Sequence, residues 1–330
     1  MNMTFPKPRI VVSRCLGFAA CRYNGAMITD HHVESMKSFV DFMPICPEAE
    51  CGLGIPRDPI RIVHISGKRA LYQPATDRDV TSMMDSFISE YLHNLDSIDG
   101  FILKNRSPSC GINDVKIYSG KNPDSVSYRG EGFFGRAIIE RFPGIPVEDE
   151  GRLRNFHIRE HFLTAIFALA RYRAVEKKAT MHDLVDFHSK YKYLLMALNE
   201  KQLRIMGKIV ANHANGTAGQ VIRNYREQLK LTLSKPASAG AMINALMHGF
   251  GGISNRLSAD EKQFFLNSLE EYRDERIPRS TILWLLQSWG VRFENNYLLN
   301  QALFHPFPLE LMELSDSGKG RGNSVFSEYN

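Results

Sequence analysis

The sequence predicts an α/β domain with a mostly parallel sheet, followed by an all-α domain. Three observations predict it. Up to about residue 150, short β-branched runs alternate with helical stretches, the pattern of βαβ units. From about Gly151 onward the periodicity is helical, with few strand-like runs. The chain has 330 residues, more than the roughly 250–300 at which a single core stops growing.

The elements follow in order. Ile10–Arg14 (IVVSR) is a short buried strand, with a glycine-containing loop from Leu16 to Gly25 behind it. Asp30 caps a helix reaching about Val40, with Val33, Met36 and Val40 on one face. Phe42–Ile45 is a second strand, ending in Cys46-Pro47. Ile60–Ile65 and Arg69–Tyr72 flank Ser66-Gly67-Lys68 as a hairpin. Thr76 or Asp77 opens a helix to about Leu95. Gly100–Lys104 is a third strand, running into the polar loop Asn105–Asn113. Gly132–Arg141 is a helix and Ile145–Val147 a last strand. The alternation is Rossmann-like. Six helical stretches then follow: 154–173, 180–210, 218–235, 237–250, 259–276 and 280–290. Asn215-Gly216, Pro236, Gly249–Gly252 and Pro278 punctuate them. No internal repeat is visible. The expected division is therefore 1–150, 151–315 and a Gly/Ser-rich flexible tail, 316–330.

Composition narrows the functional classes. The hydrophobic fraction of 43% and charged fraction of 23% are those of a globular protein, not of a disordered or collagen-like chain. No run of about 18 uncharged apolar residues exists to span a membrane. Pro6, Lys7 and Pro8 do not suit a secretory signal, so the expectation is a cytoplasmic protein with no membrane association. The net charge of +5 is unevenly spread: residues 1–150 hold 17 Lys/Arg against 19 Asp/Glu, the remainder 24 against 17. A basic second half fits a polyanionic partner, and equally a solvated basic face. No obligate protein partner is evident.

All five cysteines, at 15, 21, 46, 51 and 110, lie in the first third of the chain. An odd number in a reducing compartment argues against a disulfide framework and for metal or catalytic use; burial as ordinary core is the competing role for each, which the clustering weakens. Cys15, Cys46 and Cys110 each follow the C-terminal end of a predicted parallel strand, the sheet edge where ligands bind. No C-x₂-C pair gives zinc-finger spacing, and a three-thiolate site suits a soft metal or an iron–sulfur cluster. Such a site leaves a coordination position open for substrate.

Five ordered motifs surround these cysteines: Ser13-Arg14-Cys15-Leu16-Gly17, Cys21-Arg22-Tyr23-Asn24-Gly25, Cys46-Pro47-Glu48, Gly52-Leu53-Gly54-Ile55-Pro56-Arg57 and Arg106-Ser107-Pro108-Ser109-Cys110-Gly111. Over roughly residues 8–150 the sequence here resembles the thiouracil desulfidase family. Residues 190–315, with Tyr191-Lys192-Tyr193-Leu194-Leu195-Met196-Ala197 and Ile277-Pro278, resemble the YbgA-type helical domain. The fusion is similar to the enzymes that desulfurise 4-thiouridine in tRNA. The resemblance implies a 4Fe-4S cluster on Cys15, Cys46 and Cys110, with Cys21 and Cys51 in reserve, and a fourth iron free to take the substrate's sulfur. That iron would act as a Lewis acid on the C=S group without net redox change.

Glu48 lies two residues after Cys46, so a carboxylate stands beside the expected cluster, able to activate water or deliver a proton. Its alternative is an ion pair with Arg57 or Arg14. Ser107 and Ser109 can hydrogen-bond the base or the water, or simply shape the Ser-Pro-Ser turn. Arg14, Arg22 and Arg57 can hold substrate phosphate or orient Glu48, and equally can pair at the surface. In the helical half, Lys190-Tyr191-Lys192-Tyr193, Arg204 and Lys208, with Arg223, Tyr225 and Arg226, combine phosphate-neutralising cations with aromatic rings. Core packing is the competing role for the tyrosines, as is a structural role for the histidines, His157/His161 and His213 among them. Three functions emerge: desulfuration of 4-thiouridine in tRNA, the same chemistry on free thiopyrimidines, and a non-enzymatic iron–sulfur or zinc redox sensor that binds nucleic acid. The base in tRNA would have to unstack to reach the cluster.

Overall fold

The computed structural model describes residues 4–65, 67–122, 124–211 and 216–313. The expected tail 316–330, His213 and Ser66 of the hairpin turn lie outside the described residues. Contacts group Pro6–Phe162 with residues 310–313, and Leu163–Leu309 with Thr4 and Phe5.

The first unit is built on a four-stranded parallel sheet. Its strands are β1 (Arg9–Ser13), β2 (Asp41–Ile45), β6 (Gly100–Leu103) and β9 (Val147–Asp149), in the order β2-β1-β6-β9. Ile10, Val11, Val12, Phe101, Ile102 and Leu103 are fully buried. Continuous apolar runs of this kind belong to strands covered on both faces. The chain moves outward from β1 to β2 and then returns to β6 on the other side of β1. That reversal is a topological switch point, where the strand ends open a crevice. Helix α1 (His31–Met36) starts as expected: the Asp30 side chain accepts from the His32 and Val33 amides. It stops at Met36, short of the expected Val40.

A second, five-stranded sheet adds to the α/β architecture, in the order β5-β4-β3-β7-β8. The hairpin β3 (Arg61–Ile65) and β4 (Lys68–Gln73) pairs antiparallel as its pattern predicts. The two-residue β5 (Arg78–Asp79) delays α2, which runs Thr81–His93. Strands β7 (Val115–Tyr118) and β8 (Ser127–Gly130) form an antiparallel pair, and β7 runs parallel to β3. Helix α3 spans Phe133–Arg141.

The second unit is helical. Helix α4 (Phe156–Lys178) leads into it, followed by α5 (Met181–Ala211), α6 (Ala218–Leu233), α7 (Ala239–Gly251), α8 (Ala259–Arg273), α9 (Arg279–Arg292) and α10 (Asn296–Leu299). Helix α5 breaks at Asn199, whose φ of −163° is not helical. The core is aromatic: Phe187 stacks on Tyr191 at 4.2 Å between centroids, and Tyr172 on Tyr225 at 5.4 Å. Tyr191 and Tyr193 are buried, so these rings pack the core, the competing role set out for them. Among the described residues, no helix is long and apolar enough to cross a membrane.

Candidate active site and metal centre

The C-terminal ends of β2, β1 and β6 are adjacent, and the loops after them enclose a cavity of about 540 Å³. Cys15, Cys21, Cys46 and Cys110 line it, with Glu48, Ser107 and Ser109. The convergence expected from strand ends is thus present in space. Cys21, held in reserve by the sequence reading, lines the same cavity, and the Cys46 thiol donates to its carbonyl oxygen at 3.6 Å. The Cys15 contact, then burial, pushes the Cys21 thiol up. The Cys21 contact and burial push Cys46 up. Burial raises Cys110 to about 12, and the Ser13 and Ser109 hydroxyls act against it. Cys51 does not line the cavity; its thiol turns to the Glu48 carbonyl at 3.4 Å.

The donor set tests what these thiols can hold. A single tetrahedral zinc, with Zn–S near 2.3 Å, gathers its sulfurs to about 3.8 Å from one another. Among the described residues, the group of three ligand atoms lying within 4.8 Å throughout is His31, His32 and Glu313, and the cysteine sulfurs form no such trio. Soft thiolates spread around a cavity suit a multi-iron cluster better than one ion.

Glu48 is 8% exposed and fixed at both oxygens. Arg57 donates Nε and Nη2 to Oε2 at 2.9 and 2.7 Å. Ser109 Oγ donates to Oε1 at 2.7 Å, and Ser107 Oγ reaches the same atom at 3.3 Å. The ion pair with Arg57 and the place beside the thiols, set out as alternatives, coexist. Arg14 does not share it; it pairs with Glu50. Arg57 also ties down the cysteine loop, donating Nη1 to the Cys21 carbonyl at 3.1 Å. Arg22 lies over the Tyr23 ring at 5.6 Å, at the cavity wall.

The loop carrying Ser107, Ser109 and Cys110 is clamped by the start of α3. The amides of Gly132, Phe133, Phe134 and Gly135 donate to the carbonyls of Gly111, Pro108 and Ser109 at 2.7–3.1 Å. A helix's first amides lack intrahelical partners; here the loop supplies them. The approach demands glycine: a Cβ on Gly135 would stand 2.3 Å from the Gly111 oxygen, and one on Gly132 2.5 Å from the Ser109 oxygen.

Sequence reasoning missed Ser13, whose hydroxyl accepts from the Lys104 amide at 2.8 Å, and the cavity-lining Arg61, Lys116, Tyr118 and Arg129. The alternation in Val115-Lys116-Ile117-Tyr118 was the available signal. Of the helical-half cations, Lys190, Arg204 and Arg226 are engaged by Asp186, Glu200 and Glu176. Lys192, Lys208 and Arg223 are exposed.

The 2-thiouracil desulfurase family model matches residues 10–150, the segment that builds this cavity. YbbK of Bacillus subtilis, strain 168, is 32% identical over 121 residues, which cover 34% of this chain and 80% of that protein. The chain belongs to the 2-thiouracil desulfurase family. Beyond the desulfurase segment, a second model, described as protein of unknown function DUF1722, matches residues 192–308. YbgA of Escherichia coli K12 is 28% identical over 158 residues, 47% of this chain and 93% of that protein. Among solved structures, one described as a 4Fe-4S-dependent thiouracil desulfidase, TudS, shares 30% identity at a TM-score of 0.37, covering 44% of this desulfurase-family chain and 93% of its own.

Proposed function

We propose that this protein is an iron–sulfur-dependent desulfidase that replaces the sulfur of 4-thiouridine in tRNA by oxygen. The observation that carries the reading is Glu48: a buried carboxylate, hydrogen-bonded to Ser109 at 2.7 Å, in a cavity lined by four thiols. Cys15, Cys46 and Cys110 would hold a 4Fe-4S cluster, with Cys21 able to replace one of them. When bound, the cluster supplies a Lewis-acidic iron for the thiocarbonyl sulfur.

The chain's own groups account for the rest. The net change is C=S plus H₂O giving C=O plus H₂S, with no electrons exchanged. Glu48 takes a proton from the attacking water and returns one to the departing sulfur. Its four lone-pair sites are filled in the resting arrangement, so one hydroxyl must yield to the water. Ser107, whose contact at 3.3 Å is the longest, is the group that turns aside. Ser109 then keeps Oε1 aimed at the cavity, while Arg57 anchors Oε2. The pyrimidine would be unstacked to enter. The exposed Lys192, Lys208 and Arg223 of the helical unit would hold the tRNA backbone.

A second reading, desulfuration of free thiopyrimidines, is favoured by the family's own description. Anaerobic reconstitution followed by incubation with 4-thiouridine tRNA, and with free 2-thiouracil in parallel, separates the two. The expected result is loss of 4-thiouridine from tRNA with one sulfide released for each. Turnover of the free base alone would remove the tRNA assignment. No turnover of either by fully loaded protein would sink the desulfidase reading and favour the redox-sensing one.

A further inference from the structure

The mouth of the cavity carries a charge pattern that the chemistry above does not use. Eight cationic side chains line the cavity against two carboxylates, so most of the positive charge must find its partner elsewhere. Arg14 and Lys104 do so, on Glu50 and Glu150, while Arg57 takes Glu48 within the cavity. Arg106 and Arg129 share Asp114. Lys116 is exposed and makes no ion pair among the described residues.

The sheet register turns this excess into a row. Lys116 on β7 stands directly opposite Arg129 on β8, so both side chains leave the same face. In the parallel β3–β7 pair, Ile62 is matched with Ile117; one step back sets Arg61 beside Lys116. Three adjacent strands therefore present three cations abreast, across two inter-strand steps or about 9–10 Å. Like charges directly opposite one another weaken a strand pair; Arg129 is offset in part by Asp114, whereas Lys116 has no ion-pair partner among the described residues. Arg61 Nη2 donates to the Lys121 carbonyl, but its Nε is buried with no hydrogen-bond partner among the described residues. Its guanidinium lies 5.2 Å from the centre of the Tyr118 ring, which lines the same cavity.

We infer that Arg61, Lys116 and Arg129 form a phosphodiester-binding strip for a single-stranded polynucleotide whose base occupies the cavity. The strip is longer than one phosphate, which selects a chain over a mononucleotide. Tyr118 offers a ring for an adjoining base. The inference rests on the desulfidase reading for the cavity's occupant, but its test needs no turnover.

The test is fluorescence anisotropy of a labelled oligouridylate on the cluster-loaded full chain over a salt series, with parent and Lys116→Ala/Arg129→Ala proteins. The double variant should bind at least tenfold more weakly, with a salt slope shallower by about 1.4, two phosphate contacts at about 0.7 each. Its Tm should stay close to the parent's, because the Asp114 pair it loses is solvent-exposed and the repulsion between the two cations is relieved. Lys68→Ala/Lys177→Ala, which removes two exposed cations outside the cavity, should change affinity less than threefold. Uridine 5′-monophosphate should compete poorly. Unchanged affinity and slope, an equal loss in the control, a lowered Tm, or strong competition by the mononucleotide would each overturn the strip. Turnover of thiolated tRNA with unchanged binding in the double variant would remove the strip and spare the desulfidase. Weakened binding in a protein that turns nothing over would do the reverse.

Discussion

Glu48 and Arg57 are the residue-scale centre of the account, because each leaves the other exposed to a buried, unpaired charge. Their side chains are 11% and 4% exposed. Removing one partner of a buried pair costs about 3–5 kcal/mol, whereas replacing both is often near neutral. Arg57→Met should therefore lower unfolding free energy by about that amount in urea titrations, and Glu48→Gln/Arg57→Met should recover most of it. A double variant as unstable as Arg57→Met would show that the loss arises elsewhere. Ser109→Ala removes the shortest hydroxyl contact to Glu48, and single-turnover rates should fall about 10²–10³-fold with iron content unchanged. Sequence reasoning named Glu48, Ser107 and Ser109, and offered Arg57 as one of two partners. It held Cys21 in reserve beside Cys51, and could not see that Cys21 lines the cavity, because its loop is held there by Arg57 on the Cys21 carbonyl.

At the scale of elements, the clamp between α3 and the Ser107–Gly111 loop explains why two glycines open that helix. Gly135→Ala places a methyl group against backbone at 2.3 Å, where nothing flexible can yield. The loop should shift, with loss of turnover and of cluster retention, read as iron per chain after gel filtration; full retention with parental turnover would contradict the clamp. In the helical unit, burial holds the His188 pKa below its ordinary value, with Nδ1 3.0 Å from the Tyr225 hydroxyl. The unfolded chain then takes up the proton first as pH falls. This contribution to stability is complete above about pH 6.5 and is lost below it. Melting temperature should drop between pH 7 and pH 5, and His188→Gln should flatten the drop. The parallel strands were legible because fully buried strands read as apolar runs, and the helices because each has its period and breakers. Strands β7 and β8 were not. They are four residues each, and Ser127–Gly130 is mostly exposed, with no apolar alternation to mark it. With them the cationic row stayed hidden, since a charge count over residues 1–150 comes out slightly acidic.

For the whole molecule, the division of labour proposed is chemistry in the α/β unit and added grip on the tRNA in the helical one. Lys192→Glu/Lys208→Glu/Arg223→Glu should raise KM for thiolated tRNA at least tenfold more than KM for free 2-thiouracil. Equal effects on both substrates would deny the helical unit that role. The central claim, that Glu48 works beside a cluster held by the cavity thiols, has one direct test. Single-turnover sulfide release is measured under strict anaerobiosis in parent and Glu48→Gln proteins, each verified to carry four irons and four sulfides per chain. The account predicts a full cluster in both and sulfide release at least 10²-fold slower in Glu48→Gln. Release at the parental rate from the loaded variant would contradict it.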